Sequence, residues 1–172
     1  MDPLVELARR AVEAAARTGR HLEAVPEDLA ARIDAAPRAC FVSLHDDRGE
    51  LRGCIGTLEA CTASLGREVL RNAFSAALQD RRFSPLTAAE LPGLQVKVDV
   101  LSPLEPIPGP EDLDPRDYGV VVSTADGRRG VLLPDLEGVD TVGQQLDIAC
   151  RKAGIGTAER VQLARFTVER HS

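Results

Sequence analysis

The chain has 172 residues and a mass of 18.4 kDa, enough to bury a core without disulfide staples. Apolar residues make up 44% and charged residues 28%, which excludes a disordered tail, a collagen and a disulfide-framework toxin. A net charge of −6, a pI near 5.1 and only 3% aromatic residues disfavour nucleic-acid binding, because phosphate is repelled and stacking platforms are scarce.

Residues 2–17 read as a helix: Asp2 caps it, Pro3 suits its first turn, and Leu4, Leu7, Ala8, Ala11, Val12 and Ala15 form one stripe. Breakers Gly19, Pro26 and Pro37 make 18–38 irregular, with a short helix over 27–35. Residues 39–45 and 50–57 read as two strands joined by Asp46-Asp47-Arg48-Gly49. Residues 62–78 read as a helix, 80–86 as a charged loop, and 87–90 as a short helix ended by Pro92-Gly93. Leu94, Val96, Val98 and Val100 alternate with polar residues, the pattern of a half-buried strand.

Prolines at 103, 106, 108 and 110 make the next segment stiff; it is expected to brace two lobes along the surface rather than supply a central strand. Residues 119–124 and 129–133 form a hairpin about Asp126-Gly127. Thr141 to Gln144 is a capping box. It opens a helix with Val142, Leu146, Ala149, Cys150 and Ala153 inward and Gly154 as its stop. A last strand covers 161–169. The mixture of helices and local hairpins predicts an α+β fold. A mainly antiparallel sheet is flanked by helices, with a smaller second lobe, and residues 1–172 form one domain.

Chemistry concentrates in the first hairpin. Its alternation puts Cys40, Val42, Leu44, Leu51, Gly53 and Ile55 on one face, and Phe41, Ser43, His45, Glu50, Arg52 and Cys54 on the other. This pattern pairs His45 with Glu50, Ser43 with Arg52 and Phe41 with Cys54. Arg52 and Cys54 then share the face away from the core, and a guanidinium beside a thiol favours the thiolate. Gly53 and Gly56 let another backbone or a ligand approach, Thr57 adds a hydroxyl, and Arg82 of the charged loop is expected to join Arg52 in an anionic pocket. The competing expectation is a helix-covered cysteine and an arginine bonded to a carboxylate.

The four cysteines have no zinc-ligand spacing, and nothing points to a particular cofactor. Cys40 and Cys150 are expected to be buried and unreactive, with Cys61, placed just before a helix start, as the main competitor of Cys54. His21, His45 and His171 read as surface residues. His45 lies four positions from the expected partner of Cys54, about 13 Å along a strand, which disfavours a Cys–His pair. No window reaches the run of about 18 apolar residues that a membrane helix requires. The N-terminus shows no export signal, so a cytoplasmic protein with no membrane partner is expected.

Leu51-Arg52-Gly53-Cys54-Ile55-Gly56-Thr57 resembles the signature heptad of the AMMECR domain family. Phe41 to Leu44, Asp80 to Leu86, Val96 to Pro103, Arg129 to Pro134 and Cys150 to Gly154 resemble the family in the same order. The resemblance spans nearly the whole chain, and the length suits the stand-alone prokaryotic type. That type takes its name from gene association with a Memo-type protein and a radical SAM enzyme. The resemblance implies a two-lobed α+β fold with an antiparallel sheet and carries over no settled reaction, its heptad being a suspected catalytic or binding site. The leading expectation is a component of that gene-associated system, with the Memo-type protein and the radical SAM enzyme as partners and a small-molecule catalytic or anion-binding site in which Cys54 and Arg52 are catalytic and Gly53, Gly56, Thr57 and Arg82 bind the ligand. The alternative is a non-enzymatic module that docks a partner protein through the heptad. Ala60 stands where the family commonly has proline, and Asp135 to Gly138 depart from its usual run after Pro134.

Overall fold

The computed structural model describes residues 1–172. In chain order the helices and strands are α1 (Pro3–Thr18), α2 (Glu27–Ala30), β1 (Cys40–His45), β2 (Leu51–Gly56), α3 (Leu65–Leu78), β3 (Gln95–Leu101), β4 (Glu105–Ile107), β5 (Gly119–Ser123), β6 (Arg129–Leu132), α4 (Val142–Lys152), β7 (Gln162–Phe166) and β8 (Val168–His171). Short 3-10 helices cover Ala88–Gly93 and Pro110–Asp112. The chain divides into two units: Met1–Leu101 with Glu169–Ser172, and the continuous segment Ser102–Val168. The α+β expectation holds, with the strands divided between two four-stranded sheets.

The first unit carries the sheet β2-β1-β3-β8. Asp2 accepts the Leu4 and Val5 amides at 2.8 and 3.2 Å, satisfying donors that the first turn of α1 leaves unpaired. The buried stripe of α1 packs with Leu65, Val69, Leu70, Ala73, Ala76 and Ala77 of α3 and with Cys40, Val42, Leu44, Val96 and Val98 of the sheet. Leu7 and Val12 are fully buried, and each such side chain contributes about 1.5–3 kcal/mol.

The predicted short helix over 27–35 closes only one turn, at 27–30, before the chain breaks. The predicted helix over 62–78 begins at Leu65. Its cap is Ser64, which accepts from the Arg67 amide, while Thr62 bonds elsewhere.

The second unit carries the sheet β4-β7-β5-β6, covered by α4. Its core is Leu113, Val120, Val122, Leu132, Val139, Ala149 and Ile155. The expected hairpin joins β5 to β6, and the expected capping box opens α4. The proline segment supplies β4, which holds Pro106 at the outer edge of the sheet, where a missing amide donor costs no ladder bond.

Two expectations change here. The single strand predicted over 161–169 breaks at Thr167 into β7 and β8, which belong to different sheets. Ser102 and Thr167 exchange hydrogen bonds at this break: the Ser102 amide donates to the Thr167 carbonyl at 3.0 Å, and the Thr167 amide to Ser102 Oγ at 2.9 Å. In α4 the fully buried positions are Gln145 and Ala149, while Cys150 is half-buried. Gln145 fits because its amide donates to the Tyr118 carbonyl at 2.7 Å.

Candidate functional site

The heptad occupies β2, the edge strand of the first sheet. Its register against β1 is Phe41 to Gly56, Val42 to Ile55, Ser43 to Cys54, Leu44 to Gly53 and His45 to Leu51. Two residues, Leu51 and Arg52, thus stand on β2 between the partner of Leu44 and the hairpin turn, where the ladder shifts in a β-bulge. This shift corrects the expected pairing. Cys54 faces Ser43 rather than Phe41. Leu51, assigned above to the core face, is 41% exposed, because the bulge turns the strand end outward. Val42, Leu44, Gly53 and Ile55 still point to the core side, so Cys54 keeps the opposite face.

Gly53 faces α3. A Cβ there would sit 2.4 Å from the Ala76 carbonyl oxygen, so the missing side chain is filled by helix backbone. A Cβ at Gly56 would sit 2.2 Å from the Phe41 ring. Both glycines therefore allow close packing within the unit. Thr57 is also committed: its hydroxyl donates to Glu68 Oε1 at 2.6 Å and its amide to the Cys40 carbonyl at 3.1 Å. Gly53, Gly56 and Thr57, expected to bind a ligand, thus each carry a packing or hydrogen-bonding contact within the unit.

The residues that surround Cys54 come from the charged loop. The Cys54 amide donates to Asp80 Oδ2 at 2.9 Å, and Arg82 Nη2 donates to the Cys54 carbonyl at 3.1 Å. These groups point to the outer edge of β2, away from β1, so Asp80 and Arg82 occupy the place of a neighbouring strand. They also pair with each other: Arg82 Nε and Nη2 reach Asp80 at 3.0 and 2.7 Å, and the Arg82 amide bonds Oδ1 at 3.1 Å. The guanidinium of Arg82, followed by the Cys54 and Arg82 amides, holds the Asp80 carboxyl down to about 2. The Arg82 guanidinium is raised in turn, chiefly by its hydrogen bonds to Asp80.

Arg52 is held separately. Its Nε and Nη2 bond Glu90 at 2.7 and 3.3 Å, and its side chain is 16% exposed. Glu90 is also the far end of a capping box on Thr87, whose amide and hydroxyl both donate to it at 2.8 Å. The guanidinium, then the Thr87 donors, hold the Glu90 carboxyl down to about 2. Phe83 joins the two halves: the guanidinium carbons of Arg52 and Arg82 lie 5.9 and 5.4 Å from its ring centroid, within cation–π range.

The structure thus brings Arg52, Arg82 and Cys54 into one cluster. The guanidinium held on the Cys54 peptide is that of Arg82, paired with Asp80, while Arg52 is paired with Glu90. Sequence reasoning does not find Glu68, Asp80 or Glu90 as partners. A signal existed for one, since Thr87 to Glu90 has the spacing of a capping box.

The remaining thiols and histidines separate clearly. Cys40 is fully buried, and burial pushes its thiol up to about 12. Cys150, expected in the core, lines a cavity of about 600 Å³ with Leu146, Ile155 and Leu163, because its side of α4 is only partly covered. Its thiol is raised by burial and then by Asp147 and Glu159. Cys61 is exposed, in a loop rather than at a helix start.

His45 and His171, read above as surface residues, are half-buried. Burial, then Lys97, lowers His45, and its Nδ1 is enclosed without a partner. In the observed register His45 lies two positions from Ser43, about 7 Å along the strand, closer to Cys54 than expected but not paired with it. His171 Nδ1 lies 2.8 Å from Asp2 Oδ2, which ties β8 to the cap of α1.

Comparison with known proteins agrees over nearly the full length. A profile of the family described as AMMECR1 matches residues 5–171. A Thermotoga maritima protein is 47% identical over 173 residues, covering 98% of this chain and 97% of its own. A Clostridium acetobutylicum protein is 42% identical over 170 residues; the match covers 99% of this chain but 36% of that longer relative. The crystal structure of an uncharacterized protein from Pyrococcus horikoshii superposes with a TM-score of 0.88 at 30% identity, covering 98% of this chain and 89% of that one. No helix is long and apolar enough to cross a membrane.

Proposed function

The chain belongs to the AMMECR1 family, and we propose that it works as a thiol-centred component of a system containing a Memo-type protein and a radical SAM enzyme, the AmmeMemoRadiSam system protein A type. The observation that carries the site is the Asp80–Arg82 pair bound to the peptide of Cys54 itself. Because Asp80 fastens the guanidinium on the Cys54 carbonyl, a cation is held at the peptide of the half-buried cysteine without having to be recruited by a ligand. Such a neighbour favours the thiolate and draws small anionic reactants toward it. Cys54 is the reacting or ligand-contacting group, Arg82 its cationic partner, and Asp80, Phe83 and the Arg52–Glu90 pair position them. The proposal puts the chain in the cytosol, where its four free cysteines stay reduced.

Limited alkylation with iodoacetamide, followed by mass-spectrometric mapping, tests this site. Cys54 is expected to react ahead of Cys40 and Cys150, and Arg82→Ala to slow it more than Arg52→Ala does. Labelling of Cys54 no faster than Cys40 or Cys150 overturns the thiol reading. For the system itself, metabolites are compared between strains carrying Cys54 or Cys54→Ala with the neighbouring genes intact. Identical profiles count against the proposed role.

One observation favours the docking alternative: Leu51, the first residue of the heptad, is 41% exposed on an edge strand. If the heptad docks a partner, Leu51→Asp abolishes function and Cys54→Ser does not; a reactive thiol gives the reverse.

A further inference from the structure

A second cavity in the first unit, about 400 Å³, lies beside α3 and shares no lining residue with the thiol cluster. Arg67 and Arg71 line it from consecutive turns of α3, four residues apart and so on one side of the helix. Neither guanidinium has a hydrogen-bond or ion-pair partner. Arg10, Arg52 and Arg82 of the same unit each hold a carboxylate.

The lining around these arginines is held by a buried network. Thr62 lines the cavity and donates its hydroxyl to Glu68 Oε2 at 2.8 Å. Glu68 is fully buried, and it also accepts from the Cys61 amide at 3.1 Å and the Thr57 hydroxyl at 2.6 Å. The last residue of the heptad and the cavity wall therefore share one buried carboxylate, which fixes the intervening loop. Leu70, buried, supplies an apolar surface, and His21 also lines the cavity, its ring 5.2 Å from that of Phe74. Glu23 is the one acidic side chain in the lining.

The geometry points to this cavity as a binding site for a small phosphomonoester, with the phosphate between Arg67 and Arg71 and the organic part against Leu70. Two unpaired guanidiniums match a doubly charged group, where a single carboxylate would leave one of them idle, and each planar fork can grip two oxygens of a tetrahedral anion. The volume falls in the ordinary range for small-molecule sites and leaves room beyond the phosphate itself. Glu23 sets a limit on affinity, because its carboxylate competes for the same cations.

The test is titration of the full chain, at constant ionic strength, with inorganic phosphate, glycerol 3-phosphate and succinate, followed by backbone amide NMR. Glycerol 3-phosphate is expected to saturate one site, shifting the amides of residues 62 to 71. Arg67→Gln and Arg71→Gln are each expected to weaken it by about tenfold or more, the loss of a charge-assisted hydrogen bond. Glu23→Gln is expected to tighten it, and Cys54→Ser to leave it unchanged. Both arginines are exposed, so their variants keep the fold, which the same spectra verify. The assignment is overturned if glycerol 3-phosphate does not saturate, if the arginine variants bind it as the parent does, or if succinate binds equally well.

Discussion

At Asp80 one carboxylate accepts the Cys54 amide, the Arg82 amide and the Arg82 guanidinium, although it lies 26 residues from Cys54 in the chain. Its value in the folded chain, about 2, lies below the ordinary 3.8. Its contribution to stability is therefore present above the ordinary value and is lost as the pH falls through the folded one. Glu90, lowered from 4.5 to about 2, behaves in the same sense.

Asp80→Asn is expected to cost about 1–3 kcal/mol near neutral pH, from the loss of charged hydrogen bonds. In denaturant unfolding, the gap between parent and variant should narrow as the pH falls from about 4 toward 2. A gap independent of pH would show that the carboxylate charge is not what holds the loop. Cys54 and its face are readable from the alternation of Val42, Leu44, Gly53 and Ile55. Neither the Asp80 contact nor the choice of Arg82 over Arg52 is readable, because both depend on how a loop folds back across a strand edge.

Helix α3 shows the same limit one level up. Its apolar repeat through Leu65, Val69, Ala73, Ala76 and Ala77 is visible in the sequence, and so is its packing face. Its true start is not, because Thr62, which would have extended it, donates its hydroxyl to Glu68 instead. Glu68 and Asn72 occupy the buried side as polar residues, and Asn72 donates to the Cys40 carbonyl at 2.9 Å. Periodicity reads such residues as errors in a stripe, whereas their partners explain them.

Glu68→Ala strands the Cys61 amide and two threonine hydroxyls, and it is expected to destabilise the chain by about 2–3 kcal/mol. The Cys61 amide should lose its protection from hydrogen exchange while the α1 core amides keep theirs in native conditions. Equal loss at both places would mean that Glu68 supports the whole unit rather than its loop. The bulge in β2 is equally hidden: sheet alternation specifies parity, and from Phe41 to Leu44 the observed register differs from the expected one by two residues, which preserves parity, while at His45 it differs by one.

For the whole molecule, the governing fact is that the chain leaves the first unit after Leu101 and returns to it at Glu169. The two core clusters share no residue. The α+β class was legible from the alternation of element types. The division into two sheets was not, since nothing local in Val161 to Glu169 announces that Thr167 separates them.

Because Ser102 and Thr167 bond to each other, a short glycine-containing turn in place of residues 102–167 should join β3 to β8 without strain. The shortened chain is expected to unfold cooperatively and keep the native-like amide shifts of α1, α3 and β1. A molten, non-cooperative product would show that the first unit depends on the second for its fold.

The Asp80–Arg82 pair also has a consequence between molecules. By occupying the outer polar groups at Cys54, it denies the edge of β2 to the strand of another copy. A charged clip on the backbone of the heptad thus leaves its leucine exposed while closing that point of the strand edge to a second copy's backbone.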